Sequence, residues 1–122
     1  MQTKEKNLIV ELTFNLALEI IKYAEDPEKE RKYIIEKQLL RSGTSIGANV
    51  REAQNAESKA DFIHKMKIAA KETDETIYWL LLCEKAENYP AFNSLVEDAE
   101  SILRVLSKII ASSKNTIRNF DK

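Results

Sequence analysis

The chain has 122 residues, 43% of them hydrophobic and 32% charged. That length builds one domain with a substantial core, and that composition excludes a disordered chain and a membrane-embedded one. Lys plus Arg total 19 and Asp plus Glu total 20, a formal net charge of −1. Nucleic-acid binding by bulk positive charge is therefore excluded and would need a local patch.

The chain has only two glycines and two prolines, which over this length means few, long elements. The single cysteine, Cys83, excludes an internal disulfide. No charged-then-apolar leader opens the sequence, and apolar runs such as WLLLC are too short to span a bilayer. The expectation is a cytoplasmic protein with no membrane partner.

The first segment predicts a helix over about 6–25. Ile9, Leu12, Leu16, Ile20 and Tyr23 form one seam, and Val10, Phe14, Ala17, Ile21 and Ala24 form another. Both step by three or four, so the helix has a wide apolar face. Asp26-Pro27 then suits a helix start, with Asp26 as N-cap and Pro27 in the first position.

The second helix is predicted over about 28–56. It contains both glycines, in RSGTSIGANVREAQ at 41–54. The spacing favours one continuous or kinked helix, and a break near Ser42-Gly43 is the rival. Each interior glycine costs about 1 kcal/mol relative to alanine, so close packing or a kink must compensate.

The third helix is predicted over about 59–88, capped by Ser58 with Asp61 answering back. Its apolar series is Phe62, Met66, Ala69, Thr73, Thr76, Leu80 and Cys83. The fourth is predicted over about 91–115, with Ser94 to Glu97 as a possible later start. The tail 116–122 is expected to fray. Short connections between long helices imply an all-α, antiparallel up-down-up-down four-helix bundle. Surplus apolar face on the first and fourth helices leaves two readings, a monomer core or contact with another copy.

Beside the apolar seam of the second helix runs a polar one, Gln38, Ser42, Ser45, Asn49 and Glu52. On the third helix, Glu72 and Glu75 share a face with Trp79. Carboxylates near a core must be paired or hydrogen-bonded. Thr44, Ser45, Asn49 and Arg51 are the expected partners. The stripe reads as a solvated edge, a register-fixing network or a binding site.

The string RSGTSIGANVREAQNAESKADFIHKMKIAAKETDETIYWL resembles the four-helix bundle protein family encoded by intervening sequences within bacterial 23S rRNA genes, a ribosomal-protein-like group. The matching positions are Arg41, Ser42, Ser45, Ile46, Asn49, Glu52, Phe62, Ala69, Ala70, Glu72 and Glu75. Many members have glycine where this chain has Ala53. The resemblance implies an antiparallel bundle that assembles as a homopentamer, with a role alongside RNA or a nucleic-acid-associated protein. It implies no reaction. The family is also similar to accessory proteins of diversity-generating retroelements, which are basic where this chain is not.

Two further function classes compete with this one. Lys59, Lys65, Lys67 and Lys71 outweigh Asp61 locally, and with Arg51 they are the candidate nucleic-acid contacts. Scattered lysines on solvated helix faces are the bland alternative. A di-metal carboxylate enzyme needs two Glu-x-x-His pairs, but the chain has one histidine, His64, in Asp61-x-x-His64. Glu52, Glu72 and Glu75 are what remains for a hard cation. Arg51 and His64 are too far apart for the short arginine–histidine motif of a helical ribonuclease. The expectation is a non-enzymatic oligomer with no cofactor and no metal, with a scaffold or accessory subunit as the alternative.

Overall fold

The computed structural model describes residues 4–25, 33–86 and 94–121, and side chains over a slightly narrower range at the helix ends. It contains α1 (Lys4–Glu25), α2 (Tyr33–Ala53), α3 (Lys59–Lys85) and α4 (Leu95–Asp121). Each helix packs against two others: α1 against α2 and α4, and α3 against α2 and α4. Thr13 lies beside Gly47 and Ile20 beside Gly43, so α1 and α2 run antiparallel. Lys65 meets Glu52 while Thr76 meets Ser42, so α2 and α3 do as well.

The core follows the predicted seams. On α1, Ile9, Leu16, Ile20 and Tyr23 are buried. Thr13 is buried among them because its hydroxyl donates to the Ile9 carbonyl at 2.8 Å, inside its own helix. Leu39, Ile46, Val50 and Ala53 supply α2; Met66, Ala69 and Leu80 supply α3; Ala99, Ile102, Leu106 and Ile109 supply α4. Each fully buried large aliphatic side chain contributes about 1.5–3 kcal/mol. The second seam of α1 is only half-covered, and Phe14 at its centre is 58% exposed.

α2 is one continuous helix through both glycines. A methyl group on Gly43 would collide with Ile20 Cδ1 and lie 3.2 Å from its Cγ2. Gly43 therefore lets α1 approach closely. At Gly47 the same methyl would meet the Thr13 carbonyl oxygen at 3.4 Å, ordinary contact. The two glycines thus have different reasons to be there.

Several helix ends differ from expectation. α2 ends at Ala53, where backbone N–H groups of Gln54, Asn55 and Ala56 turn to carbonyls three residues back. α3 ends at Lys85, because Ala86 adopts extended backbone at φ −77°, ψ 143°. α4 begins at Leu95, the later of its two expected starts, after Ser94, whose carbonyl accepts from Asp98 N at 2.9 Å. It continues to Asp121, through the tail expected to fray. The Ser94 hydroxyl donates to Asp98 Oδ2 at 3.4 Å. The Ser58 cap forms: its Oγ accepts from Asp61 N at 3.0 Å, while Asp61 Oδ2 accepts from Glu57 N at 3.3 Å. The Asp26-Pro27 start, the Asn88-Tyr89-Pro90 break and the start at Ala91 lie outside the described residues.

Candidate functional site

The polar stripe of α2 lies along its seam with α3, and the structure divides it by depth. Ser42 is fully buried, and so is Thr76 opposite it. Their hydroxyls are hydrogen-bonded at 3.0 Å. The Thr76 hydroxyl also lies 2.8 Å from the Glu72 carbonyl and the Ser42 hydroxyl 3.4 Å from that of Leu39, so two protons serve three contacts. Buried hydroxyls placed this way carry no unmet hydrogen bond, and among the described residues no buried side-chain polar atom lacks a partner.

One residue back, Arg41 points outward and gathers the carboxylates of α3. Its guanidinium pairs with Glu72 at 3.3 Å and with Glu75. Its Nε donates to Gln38 Oε1 at 3.2 Å. Trp79 Nε1 donates to the same Glu75 oxygen at 2.9 Å. The planar guanidinium fork suits this bridging, since its donors lie in one plane at fixed angles. The cluster holds two carboxylates against one cation and is partly solvated. It cross-links α2 to α3 above the Ser42–Thr76 pair.

The expected partners of Glu72 and Glu75 are therefore the wrong ones. Thr44 donates to the Leu40 carbonyl at 2.7 Å, and Asn49 Nδ2 to the Ser45 carbonyl at 2.9 Å, both within α2. Arg51 is exposed on the last turn of α2. The reason is register. The antiparallel pairing sets Arg41 and Ser42 opposite Glu72 to Thr76, so Ser45 and Asn49 fall toward the earlier turns of α3. Glu52, at the far end, lies 3.9 Å from Lys65. In the sequence Thr76 stands only as a member of an apolar series; its hydroxyl four residues after Glu72 is the signal that could have found it.

The candidate nucleic-acid residues separate too. Lys65 faces Glu52, and the Lys59 ammonium sits 5.8 Å from the Phe62 ring centroid. Lys67 and Lys71, one turn apart, are exposed on α3. His64 is exposed on the same helix. Glu52, Glu72 and Glu75 do not converge, and among the described residues no group of three His, Cys, Asp or Glu could hold a metal. Cys83 is buried, and burial pushes its thiol above the ordinary value. A cleft of about 330 Å³ opens between α1 and α4, with Glu19 and Asp98 among its lining residues. None of the sequence-predicted site residues lines it. No helix among the described residues is long and apolar enough to cross a membrane.

Fold and site together define a small four-helix bundle whose polar stripe is spent on joining two of its own helices. The family model for the 23S rRNA-intervening sequence protein matches residues 5–108, and the chain belongs to that family. It is similar to a crystal structure described as a protein with unknown function from the S23 ribosomal protein family of Bacteroides thetaiotaomicron. The two are 41% identical with a TM-score of 0.79, over 88% of this chain and 98% of that one. None of the curated protein sequences matches the chain.

Proposed function

We propose that the chain acts as a non-enzymatic homo-oligomer, a pentamer of up-down-up-down bundles, that associates with RNA. The observation that carries the assembly is the apolar surface left open on α1, where Leu8, Phe14 and Leu18 are 45%, 58% and 47% exposed. Contiguous exposed apolar surface marks an interaction site. RNA association rests on membership in a family named for its link to rRNA genes. It is supported by Lys67 and Lys71, which are exposed where Lys65 and Lys59 are engaged within the chain. Repetition around a ring multiplies such small patches into a basic surface. Binding of labelled RNA at low and raised salt tests this; absence of binding at low salt defeats it.

A second reading is a protein-binding scaffold or accessory subunit without nucleic acid. The net charge of −1 favours it, as does the exposed acidic Asp74 one turn from Lys71. Co-purification from native cells separates the two, since nucleic acid accompanies the protein in one case and only protein in the other.

A further inference from the structure

The open surface of α1 has a counterpart on α2 of the same chain. Along α1, Glu11, Phe14 and Leu18 are exposed, an acid followed by two large apolar side chains. Along α2, read backwards, come Arg51 and Ala48, both exposed, and half-buried Thr44: a base followed by two small residues. The steps agree, three then four residues on each helix. Neither Glu11 nor Arg51 has an ion-pair partner among the described residues.

Height agrees as well. Thr13 is level with Gly47 and Ile20 with Gly43. In a neighbouring copy standing upright beside the first, α1 therefore runs antiparallel to α2 of the next. At one common level Glu11 faces Arg51, Phe14 faces Ala48 and Leu18 faces Thr44. Acid meets base, and large side chains meet small ones.

We infer that α1 of one copy docks on α2 of the next through these three pairs. This inference rests on the reading that the chain assembles with itself, and names the surfaces it uses. The contact is head-to-tail: each copy presents α1 to one neighbour and α2 to the other. Because α1 and α2 pack side by side, successive copies turn. Because the pairs share one level, they do not climb. A heterologous contact that turns without rising closes into a ring, whereas one that rises builds a filament.

The test is the mass of the full-length protein by light scattering, with circular dichroism to verify folding. Wild type is expected as a closed oligomer. Phe14→Asp, Ala48→Trp and Glu11→Arg are each expected to lower the mass toward one chain with helical content unchanged. Glu11→Arg combined with Arg51→Glu is expected to recover the wild-type mass. An assembled wild type whose variants keep its mass would overturn the docking surfaces and leave self-assembly standing. A combined variant no larger than Glu11→Arg alone would overturn the Glu11–Arg51 pairing. A monomeric wild type would overturn self-assembly and this inference together.

Discussion

The hydroxyls of Ser42 and Thr76 lie 3.0 Å apart between α2 and α3, and both residues are fully buried. Polar groups at such depth are tolerated only when satisfied; each hydroxyl has a carbonyl of its own helix within reach, and the bond between them adds a contact that only one register of the two helices allows. A shift of either helix would separate the pair. The Arg41 cluster lies beside the pair, nearer solvent, and enforces the same alignment. The polar stripe thus explains α2–α3 register before it explains any ligand.

Removing one member of the pair should cost more than removing both, per group. Thr76→Val leaves the Ser42 hydroxyl with only the Leu39 carbonyl at 3.4 Å, a loss of about 1–2 kcal/mol. Ser42→Ala leaves Thr76 bonded to the Glu72 carbonyl at 2.8 Å, so it should cost about 1 kcal/mol or less. The double variant should fall short of the sum, because the residues are in contact. Urea unfolding measures all three; strict additivity would argue against a coupled pair.

Arg41→Ala should destabilise modestly, by about 0.5–1 kcal/mol, because the arginine side chain is 48% exposed and solvent screens its ion pairs. The loss should shrink as salt rises, through screening of the exposed charges. Arg41→Lys should not restore the full effect, since one ammonium lacks the planar fork that serves Glu72, Glu75 and Gln38 together. Thermal melts at low and high salt give both comparisons.

Alanine at the two glycines should act in opposite directions. Gly47→Ala meets only ordinary contact and should gain up to about 1 kcal/mol from helix propensity. Gly43→Ala drives a methyl into the tip of the Ile20 side chain, which must turn aside within a fully buried site. Overpacking of this kind costs about 1–3 kcal/mol and should exceed the propensity gain. Equal stabilities for the two variants would contradict the close approach of α1 at Gly43.

Cys83 links stability to alkaline pH. Burial raises its thiol pKa above the ordinary 9.0; a hydrogen bond from Tyr23 lowers it and the Glu36 charge raises it, without reversing the direction. The unfolded chain therefore releases this proton first. Stability from the buried neutral thiol is complete below about pH 9 and is lost as pH climbs through the folded value. A Cys83→Ala variant should show a flatter fall in stability above pH 9 than wild type. Chemical denaturation at pH 8 and above pH 9 checks the sign.

Periodicity made the fold legible. The Ile9, Leu16, Ile20, Tyr23 seam and its equivalents on the other helices are the core. Which of the two α1 seams would be buried was not legible, because both have the same spacing and a helix at the corner of a bundle needs one. The spacing of Glu72, Glu75 and Trp79 puts them on one face, and Trp79 does bind Glu75. Their cationic partner was not legible, because it is set by the register of α2 against α3, which neither helix encodes by itself. Thr76 hid for a related reason. A hydroxyl that bonds its own helix can occupy a core position, so its place in an apolar series concealed its polar role.

The claim that this bundle meets RNA is tested most directly by fluorescence anisotropy of a labelled single-stranded RNA titrated with the full-length protein across a salt series. Binding is expected at low salt, with affinity falling as salt rises. Lys67→Ala with Lys71→Ala should flatten the log–log slope by about 0.7 for each phosphate that is no longer neutralised. No change in anisotropy at low salt, with the protein folded, would contradict it.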